Sequence, residues 1–153
     1  LSPHRLALVG ILLATALIFV RPGNADATTP ARGVIATTAL KYEGKWGGQC
    51  WTFMKKVVLE ATGKEIGFDY REGYFEAGAV EVSRANAASG DIIQIALDAN
   101  TSPDADYDGL HSAIILDAMG DGTFRVVDSN SQYDEVVRVR EQPGSFDAIS
   151  TSS

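Results

Sequence analysis

The sequence predicts an α+β fold in which one amphipathic helix is followed by an antiparallel β-meander. Two observations carry this prediction. Apolar residues recur from Cys50 onward with the spacing of one helix face. From Ile92 onward, short apolar or alternating runs are separated by turn residues. Helices and strands that are segregated along the chain, rather than alternating, are typical of α+β domains.

The N-terminal segment has the pattern of a secretory signal peptide. It opens with a basic His4-Arg5 pair and continues with an uncharged apolar run over residues 6–20. This run of about 15 residues is shorter than the roughly 20 that span a bilayer, and Ala25-Asp26-Ala27 fits the A-x-A cleavage pattern. We expect residues 1–27 to be a cleaved leader and the protein to be secreted or associated with the cell wall. The alternative is an uncleaved N-terminal anchor, which Arg21 favours. In that case we expect the leader to be the only part of the protein that contacts a membrane.

The rest of the chain divides by composition into three parts. Residues 28–40 are small, polar and punctuated by Pro and Gly, which predicts a linker. The patterned part over residues 41–142 is the expected domain. The tail over residues 143–153 opens on a Pro-Gly pair and is expected to be disordered or truncated.

The charge balance excludes one class of partner. The chain carries 13 basic and 20 acidic residues, a net charge of −7. Nucleic-acid binding requires a basic face, so it is not expected. About 125 residues remain after the leader, enough for one domain with one core, and we expect a monomer. The single cysteine of an exported chain cannot form an internal disulfide, so Cys50 is either a buried inert thiol or a reactive one.

The predicted helix begins at Cys50. Its apolar residues fall at offsets 0, 3, 4, 7, 8 and 11 as far as Ala61, which is one face of an α-helix. Gly63 follows as a C-terminal stop. A short helix is possible over residues 79–88. Strands are then expected over residues 92–97, 110–116, 123–128 and 135–140, with a hairpin turn at Gly120-Asp121-Gly122.

Three of these elements carry groups that suit thiol chemistry. Cys50 stands at a helix start, where unpaired N–H groups and the helix dipole lower the pKa of a thiol. His111 opens a strand, and Asp128-Ser129-Asn130 ends the next strand at the same end of the hairpin. A carboxylate there could accept from the imidazole and fix its tautomer. The alternatives are structural: an inert apolar Cys50, a satisfied core His111 and turn-forming polar residues at 128–130.

At these residues the chain resembles the CHAP domain, a cysteine- and histidine-dependent amidohydrolase/peptidase of the papain-like NlpC/P60 superfamily. The resemblance extends over residues 40–140 and rests on four blocks in order. They are Gly48-Gln49-Cys50, Gly90-Asp91-Ile92-Ile93, His111-Ser112-Ala113-Ile114-Ile115 and Val127-Asp128-Ser129-Asn130.

The resemblance implies a papain-like fold and a role for each site residue. Cys50 would be the nucleophile, His111 the general base and then acid, and Asp128 or Asn130 the group that orients His111. Gln49 would add a donor to the oxyanion.

The activity implied is hydrolysis of an amide in peptidoglycan or a peptide, without a cofactor. The enzyme would be a stem-peptide endopeptidase or an N-acetylmuramoyl-L-alanine amidase. The alternatives are a non-catalytic module that binds the cell wall or surface, and a thiol acyltransferase.

No metal site is expected. Some CHAP domains carry calcium-binding acids before the cysteine, but residues 41–49 contain only Glu43. Residues 104–109, Asp-Ala-Asp-Tyr-Asp-Gly, copy the start of an EF-hand loop. Position 12 of that loop would be Ile115, so a solvated acidic loop is the favoured interpretation and weak calcium binding the alternative.

Aromatic residues near the cysteine are expected to wall a substrate groove. Trp46 and Trp51 flank Cys50 in sequence, and Tyr70 or Tyr74 would complete the wall. Indole and phenol rings stack on sugar and peptide faces at low cost in entropy. The alternative is that Trp51 belongs to the core.

Overall fold

A six-stranded antiparallel sheet with α-helices against one face forms the part of the chain that the structure describes. The structure is a computed structural model that describes residues 28–69, 71–96, 110–142 and 147–151. The helices are α1 (Thr28–Leu40), α2 (Cys50–Thr62) and α3 (Glu72–Glu76). The strands are β1 (Ala79–Val82), β2 (Ile92–Ala96), β3 (Leu110–Ala118), β4 (Phe124–Ser129), β5 (Val137–Gln142) and β6 (Asp147–Thr151).

The predicted meander is confirmed in β2 to β5, which lie side by side in sequence order. Ile92 on β2 opposes Ile114 on β3, and Ile114 in turn opposes Val127 on β4. Val127 opposes Val139 on β5. This apolar row crosses four strands on one face of the sheet and meets the helices, which fixes the register because a slip of one residue would turn the row outward.

The predicted helix at Cys50 is also confirmed. Phe53, Met54 and Val57 of α2 are fully buried against the sheet. Gly63 ends the helix in the left-handed region with φ of 73°, and its N–H donates to the carbonyl of Leu59. A residue with a Cβ adopts that conformation only at a cost, so Gly63 is a stop for steric reasons.

The linker predicted over residues 28–40 is corrected: these residues form α1. Threonine and glycine are weak helix formers, which is why the local sequence indicated a linker. A helix of 13 residues is marginal by itself. Here Ile35, Ala36 and Ala39 are buried in the same core as α2, and this packing stabilises the helix.

The tail predicted to be disordered is corrected in the same way. Residues 147–151 form β6, which pairs with β1 on one side and β2 on the other. A strand of five residues gives a weak local signal, but in this position it satisfies the backbone groups of two neighbouring strands. The short helix proposed over residues 79–88 is also wrong. That stretch contains β1 and a 3₁₀ turn over Arg84–Asn86.

Two apolar clusters lie on opposite faces of the sheet. The larger joins the three helices to the sheet, whereas the smaller includes Ile93, Ile115 and Phe124 on the other face. The predicted leader over residues 1–27 and the acidic residues 104–109 lie outside the described residues. Within the part that the structure describes, no helix is long and apolar enough to cross a membrane.

Candidate active site

Two glycines bring the chain into contact with the end of the sheet just before Cys50. The backbone N–H of Gly47 donates to the carbonyl of Glu135 over 2.7 Å. A Cβ on Gly47 would lie 2.6 Å from both Ser129 Oγ and a methyl carbon of Val137, so only glycine fits there. Gly48 then turns the chain with φ of 76°, and its carbonyl accepts from Ser129 Oγ over 2.6 Å. The start of α2 is therefore fixed against the ends of β4 and β5.

Cys50 is the first residue of α2 and is only 8 % exposed. Gln49, the residue before it, has extended backbone angles and makes no side-chain cap on the helix. Its carbonyl accepts the N–H of Phe53 over 2.9 Å, which closes the first helical turn. The thiol thus lies at the positive end of the helix dipole, as the sequence predicted.

His111 and Asp128 meet beside this thiol. Their strands are in register at Ile114 and Val127, so both residues fall at the same end of the β3–β4 pair. His111 Nε2 lies 2.9 Å from Asp128 Oδ2. The imidazole also hydrogen-bonds the Cys50 sulfur. Because Nε2 faces the carboxylate, Nδ1 is the nitrogen that faces the thiol.

The surroundings of Cys50 lower the pKa of its thiol. Burial by itself would raise the pKa. The hydrogen bond with His111 and the backbone N–H groups of Ser112 and Trp51 act in the opposite direction and outweigh burial. These donors stabilise the thiolate, which is the nucleophilic form of cysteine.

The same contacts raise the pKa of His111 to about 9. Burial acts to lower it, but the hydrogen bonds and charges of Asp128 and Cys50 prevail. The lowered pKa of the thiol and the raised pKa of the imidazole both favour a thiolate–imidazolium pair between Cys50 and His111.

Asp128 is fully buried and holds two cationic partners. Burial acts to raise its pKa, but His111 and Arg140 lower it overall. Arg140 Nε lies 2.6 Å from Oδ2, the same oxygen that contacts His111. Asp128 is therefore a carboxylate, an acceptor that can fix the imidazole with its proton on Nε2.

Asn130 has a different partner from the one that the sequence suggested. Its side-chain hydrogen bond goes to Gln49 and not to His111: its Nδ2 donates to Gln49 Oε1 over 2.8 Å. Gln49 Nε2 donates to Glu135 Oε1 over 2.9 Å, and the N–H of Glu135 donates to Asn130 Oδ1 over 3.0 Å. These three residues form a closed ring of hydrogen bonds, here called the Gln49 ring. A carboxylate only accepts, so the ring also fixes which end of the Gln49 amide is nitrogen.

The loop that supplies Asn130 and Glu135 has an unusual backbone. Asn130, Tyr133 and Glu135 all have positive φ, between 60° and 67°. Left-handed angles are uncommon for residues other than glycine and carry a cost that the surrounding contacts must offset. In this loop the Gln49 ring is one such set of contacts.

The aromatic groove is corrected in part. Trp46 is 68 % exposed, and its Nε1 donates to Glu135 Oε2 over 2.8 Å, which holds the indole at the rim of the Gln49 ring. Trp51 is half-buried and packs edge-on against Tyr74 with ring centroids 5.3 Å apart. Tyr74 is fully buried, so it is a core residue and not a groove wall. Tyr70 lies outside the described residues.

Two residues of this region, Arg140 and Glu135, were not predicted from the sequence. Arg140 belongs to the alternating run Val137-Arg138-Val139-Arg140, whose arginines share one face of β5. Pairing β4 with β5 by their valines would have put those arginines beside Asp128. Nothing local in the sequence points to Glu135. In the part of the chain that the structure describes, no group of three or more His, Cys, Asp or Glu residues is arranged to hold a metal ion.

Comparison with known proteins gives structural likeness only. No family model and no curated protein matches the sequence. Among solved structures, the endolysin LysIME-EF1 superposes with a TM-score of 0.60 at 20 % identity, covering 79 % of this chain and 64 % of that chain. Ly7917 superposes with a TM-score of 0.55 at 10 % identity, covering 79 % of this chain and 62 % of that chain.

The chain spans less than two thirds of the length of either of these two structures. At such identities the likeness establishes the fold and nothing finer. The predicted fold class is confirmed: the protein is α+β and papain-like, with the helix that carries the cysteine packed on an antiparallel sheet.

Proposed function

We propose that this protein is an exported cysteine hydrolase that cleaves an amide bond in peptidoglycan, with Cys50 as nucleophile. One observation carries the proposal: Cys50, His111 and Asp128 form a continuous hydrogen-bonded line that ends on a buried carboxylate. The fold shared with the endolysin LysIME-EF1 supports a cell-wall substrate. The leader pattern over residues 1–27 supports export.

The first half of the reaction uses the thiolate–imidazolium pair. The Cys50 thiolate attacks the amide carbonyl carbon, and the carbonyl π electrons move to oxygen. The His111 imidazolium then gives its Nδ1 proton to the leaving nitrogen as the C–N bond breaks. An amine leaves, and the acyl group remains on Cys50 as a thioester.

Two donors are available for the negative charge that develops on the carbonyl oxygen. The backbone N–H of Cys50 lies at the helix start, where the first N–H groups have no partner within the helix. Gln49 Nε2 carries two N–H groups, and one of them donates a hydrogen bond to Glu135. The second can donate to the oxyanion, where a donor that is already in position requires no rearrangement.

The second half restores the enzyme. His111 is now neutral, and its Nδ1 accepts a proton from water as the water oxygen attacks the thioester carbonyl. The C–S bond breaks, the acyl group leaves as a carboxylic acid, and the thiolate–imidazolium pair is restored. Asp128 stays ionised throughout and holds the ring by Nε2.

Digestion of purified peptidoglycan tests the proposal. The wild type and Cys50→Ala are incubated with the polymer, and the soluble fragments are analysed by mass. We expect the wild type to release fragments. Cys50→Ala should lose at least about 10³-fold in rate, since the nucleophile is absent, and should remain folded. New amino groups within the peptide stem identify an endopeptidase, whereas free stems with an N-terminal alanine identify an amidase. Turnover retained in Cys50→Ala would exclude the mechanism.

Alkylation of Cys50 tests the reactive site without a wall substrate. We expect iodoacetamide to modify the wild type rapidly at pH 6, because the lowered pKa of the Cys50 thiol favours the reactive thiolate. His111→Ala removes the partner imidazole and should slow the reaction at this pH at least tenfold. Sluggish modification of the wild type would indicate a binding module that keeps the fold without the chemistry.

A further inference from the structure

We propose that Arg140 is a positioning residue of this site, which holds Asp128 ionised and aimed at His111 through the whole reaction. This inference rests on the proposed function, since it concerns the same catalytic line. Arg140 acts through Asp128 and does not itself contact the reacting atoms.

All the hydrogen bonds of the Asp128 carboxylate converge on one oxygen. Oδ2 contacts Arg140 Nε at 2.6 Å and His111 Nε2 at 2.9 Å. Oδ1 is buried and has no hydrogen-bond partner among the described residues. The Arg140 guanidinium therefore determines which carboxylate oxygen of Asp128 faces the imidazole. In this way it also fixes the rotation of the carboxylate.

The sheet holds Arg140 in this position. On the β4–β5 ladder Asp128 opposes Arg138, and Val126 opposes Arg140, so Arg140 reaches Asp128 diagonally across the strand pair. Arg140 Nη1 also donates to Gln142 Oε1 and approaches the carbonyl of Glu141. A guanidinium held at Nε and at Nη1 has little freedom to rotate.

The reaction itself gives the reason for a second cation. A buried carboxylate without a partner charge is costly, and a carboxyl group so placed takes up a proton instead. His111 supplies a positive charge only while it is an imidazolium. In the thioester stage His111 is neutral, and the charge that remains beside Asp128 is that of Arg140, since arginine stays protonated.

The other charged groups around Asp128 do not replace Arg140. His111 faces it from β3, and Cys50 on α2 lies beyond His111. Arg138 faces it from β5, but both of its terminal nitrogens bind Asp134, at 2.6 and 2.5 Å. The positive charge of Arg138 is therefore largely compensated at the surface.

The test measures how the rate of Cys50 alkylation depends on pH in Arg140→Gln and Arg140→Lys. Iodoacetamide is the probe because it is neutral and insensitive to a change of local charge. Arg125→Gln is the matched control: it removes an arginine that pairs with an exposed aspartate, Asp117, on the neighbouring strands.

Loss of Arg140 should let Asp128 take up a proton at higher pH. Protonated Asp128 no longer stabilises the imidazolium, so the acid limb of the alkylation profile should move up by about one pH unit in Arg140→Gln. Turnover on peptidoglycan should fall about tenfold in kcat with KM within about twofold. Arg140→Lys should be intermediate, because an ammonium keeps the charge but not the fixed donor geometry. Arg125→Gln should match the wild type.

The outcomes separate this inference from the proposed function. A wild type that is not alkylated in mild acid would overturn the proposed function. A wild-type profile of the expected form, with an unmoved acid limb in Arg140→Gln, would overturn the role of Arg140 alone. Should Arg140→Gln fail to fold, Arg140→Lys decides: an intermediate profile supports the role, and a profile and kcat equal to the wild type overturn it.

Discussion

Two hydrogen-bond networks meet at the start of α2, and they differ in burial. The first, here called the catalytic line, joins Cys50, His111 and Asp128 and ends on Arg140. Its imidazole is 7 % exposed and its carboxylate 0 %. The second is the Gln49 ring, which lies at the surface with the exposed indole of Trp46 bound at its rim.

Because they differ in burial, the two networks have different physical effects. Charges interact strongly where water is excluded, so the catalytic line can shift the pKa values of Cys50 and His111. In the Gln49 ring, water weakens each contact, and the ring serves to hold side chains in place. In the catalytic line, Cys50 begins α2 and the other three members lie on strands, whereas two members of the ring come from a loop with left-handed residues. The proposed chemistry therefore uses residues of regular helix and strand, and in the same proposal the loop positions groups for a substrate.

Among the substitutions that compare the two networks, the largest effect is expected from removing the charge of Asp128 in the catalytic line. Asp128→Asn should lower kcat about 10²-fold, at the lower end of the range for a positioned acid–base group, because the uncharged amide no longer supports the imidazolium. The matched control is Asp134→Asn, which removes an exposed carboxylate that pairs with Arg138. Steady-state kinetics on soluble wall fragments gives the measurement. A kcat within twofold of the wild type would show that the buried charge is not needed.

The pH dependence of stability tests the same line without a substrate. The pKa of His111 is raised from 6.5 to about 9 in the folded protein. The folded state therefore holds the proton more tightly, and this contribution to stability is fully present below pH 6.5 and lost as the pH rises through about 9. We expect the melting temperature of the wild type to exceed that of His111→Gln at pH 6, and the difference to shrink between pH 6.5 and 9.

Titration of the imidazole by NMR provides the direct measurement. His4 and His111 are the only histidines of the sequence, so the ring signals are few. A titration midpoint for His111 near pH 6.5 would show that the buried catalytic line does not shift the pKa of its imidazole. The proposed difference between this line and the exposed Gln49 ring would then be wrong.

A smaller effect is expected from the Gln49 ring. Glu135→Gln replaces the carboxylate that holds Gln49 Nε2 with an amide of similar shape. One exposed hydrogen bond contributes roughly 1 kcal/mol, so kcat should fall about fivefold. Glu141→Gln is the control, since it neutralises an exposed acid on β5. A loss as large as that of Asp128→Asn would mean that the ring shares in the acid–base chemistry.

The smallest effect concerns Trp46. Trp46→Ala removes an indole that is 68 % exposed and rests on Glu135. We expect KM to rise about threefold, in keeping with one lost stacking contact, while kcat and the melting temperature stay unchanged. Thermal denaturation beside the kinetics checks both parts. A marked fall in melting temperature would identify Trp46 as packing and leave the groove without this wall.

The sequence by itself determined the elements whose signal is local. The apolar spacing from Cys50 and the stop at Gly63 predicted α2, and the turn at Gly120-Asp121-Gly122 predicted the β3–β4 hairpin. A single cysteine, and a single histidine after the leader, left little choice for a thiol–imidazole pair. Helix faces, turns and residue types are properties of neighbouring residues, so they can be inferred without knowing the fold.

Tertiary structure decided what depends on distant residues. α1 is a weak helix that packing stabilises, and β6 is a short strand that pairs with β1 on one side and β2 on the other. The sequence offered both Asp128 and Asn130 as partners of His111. In the structure Asp128 makes this hydrogen bond, and the Asn130 amide binds Gln49 instead. The buried Tyr74 and the contact of Arg140 with Asp128 were likewise set by strand pairing and burial. Such contacts join residues far apart in the chain, and their energy depends on which groups lose water together, which no local pattern records.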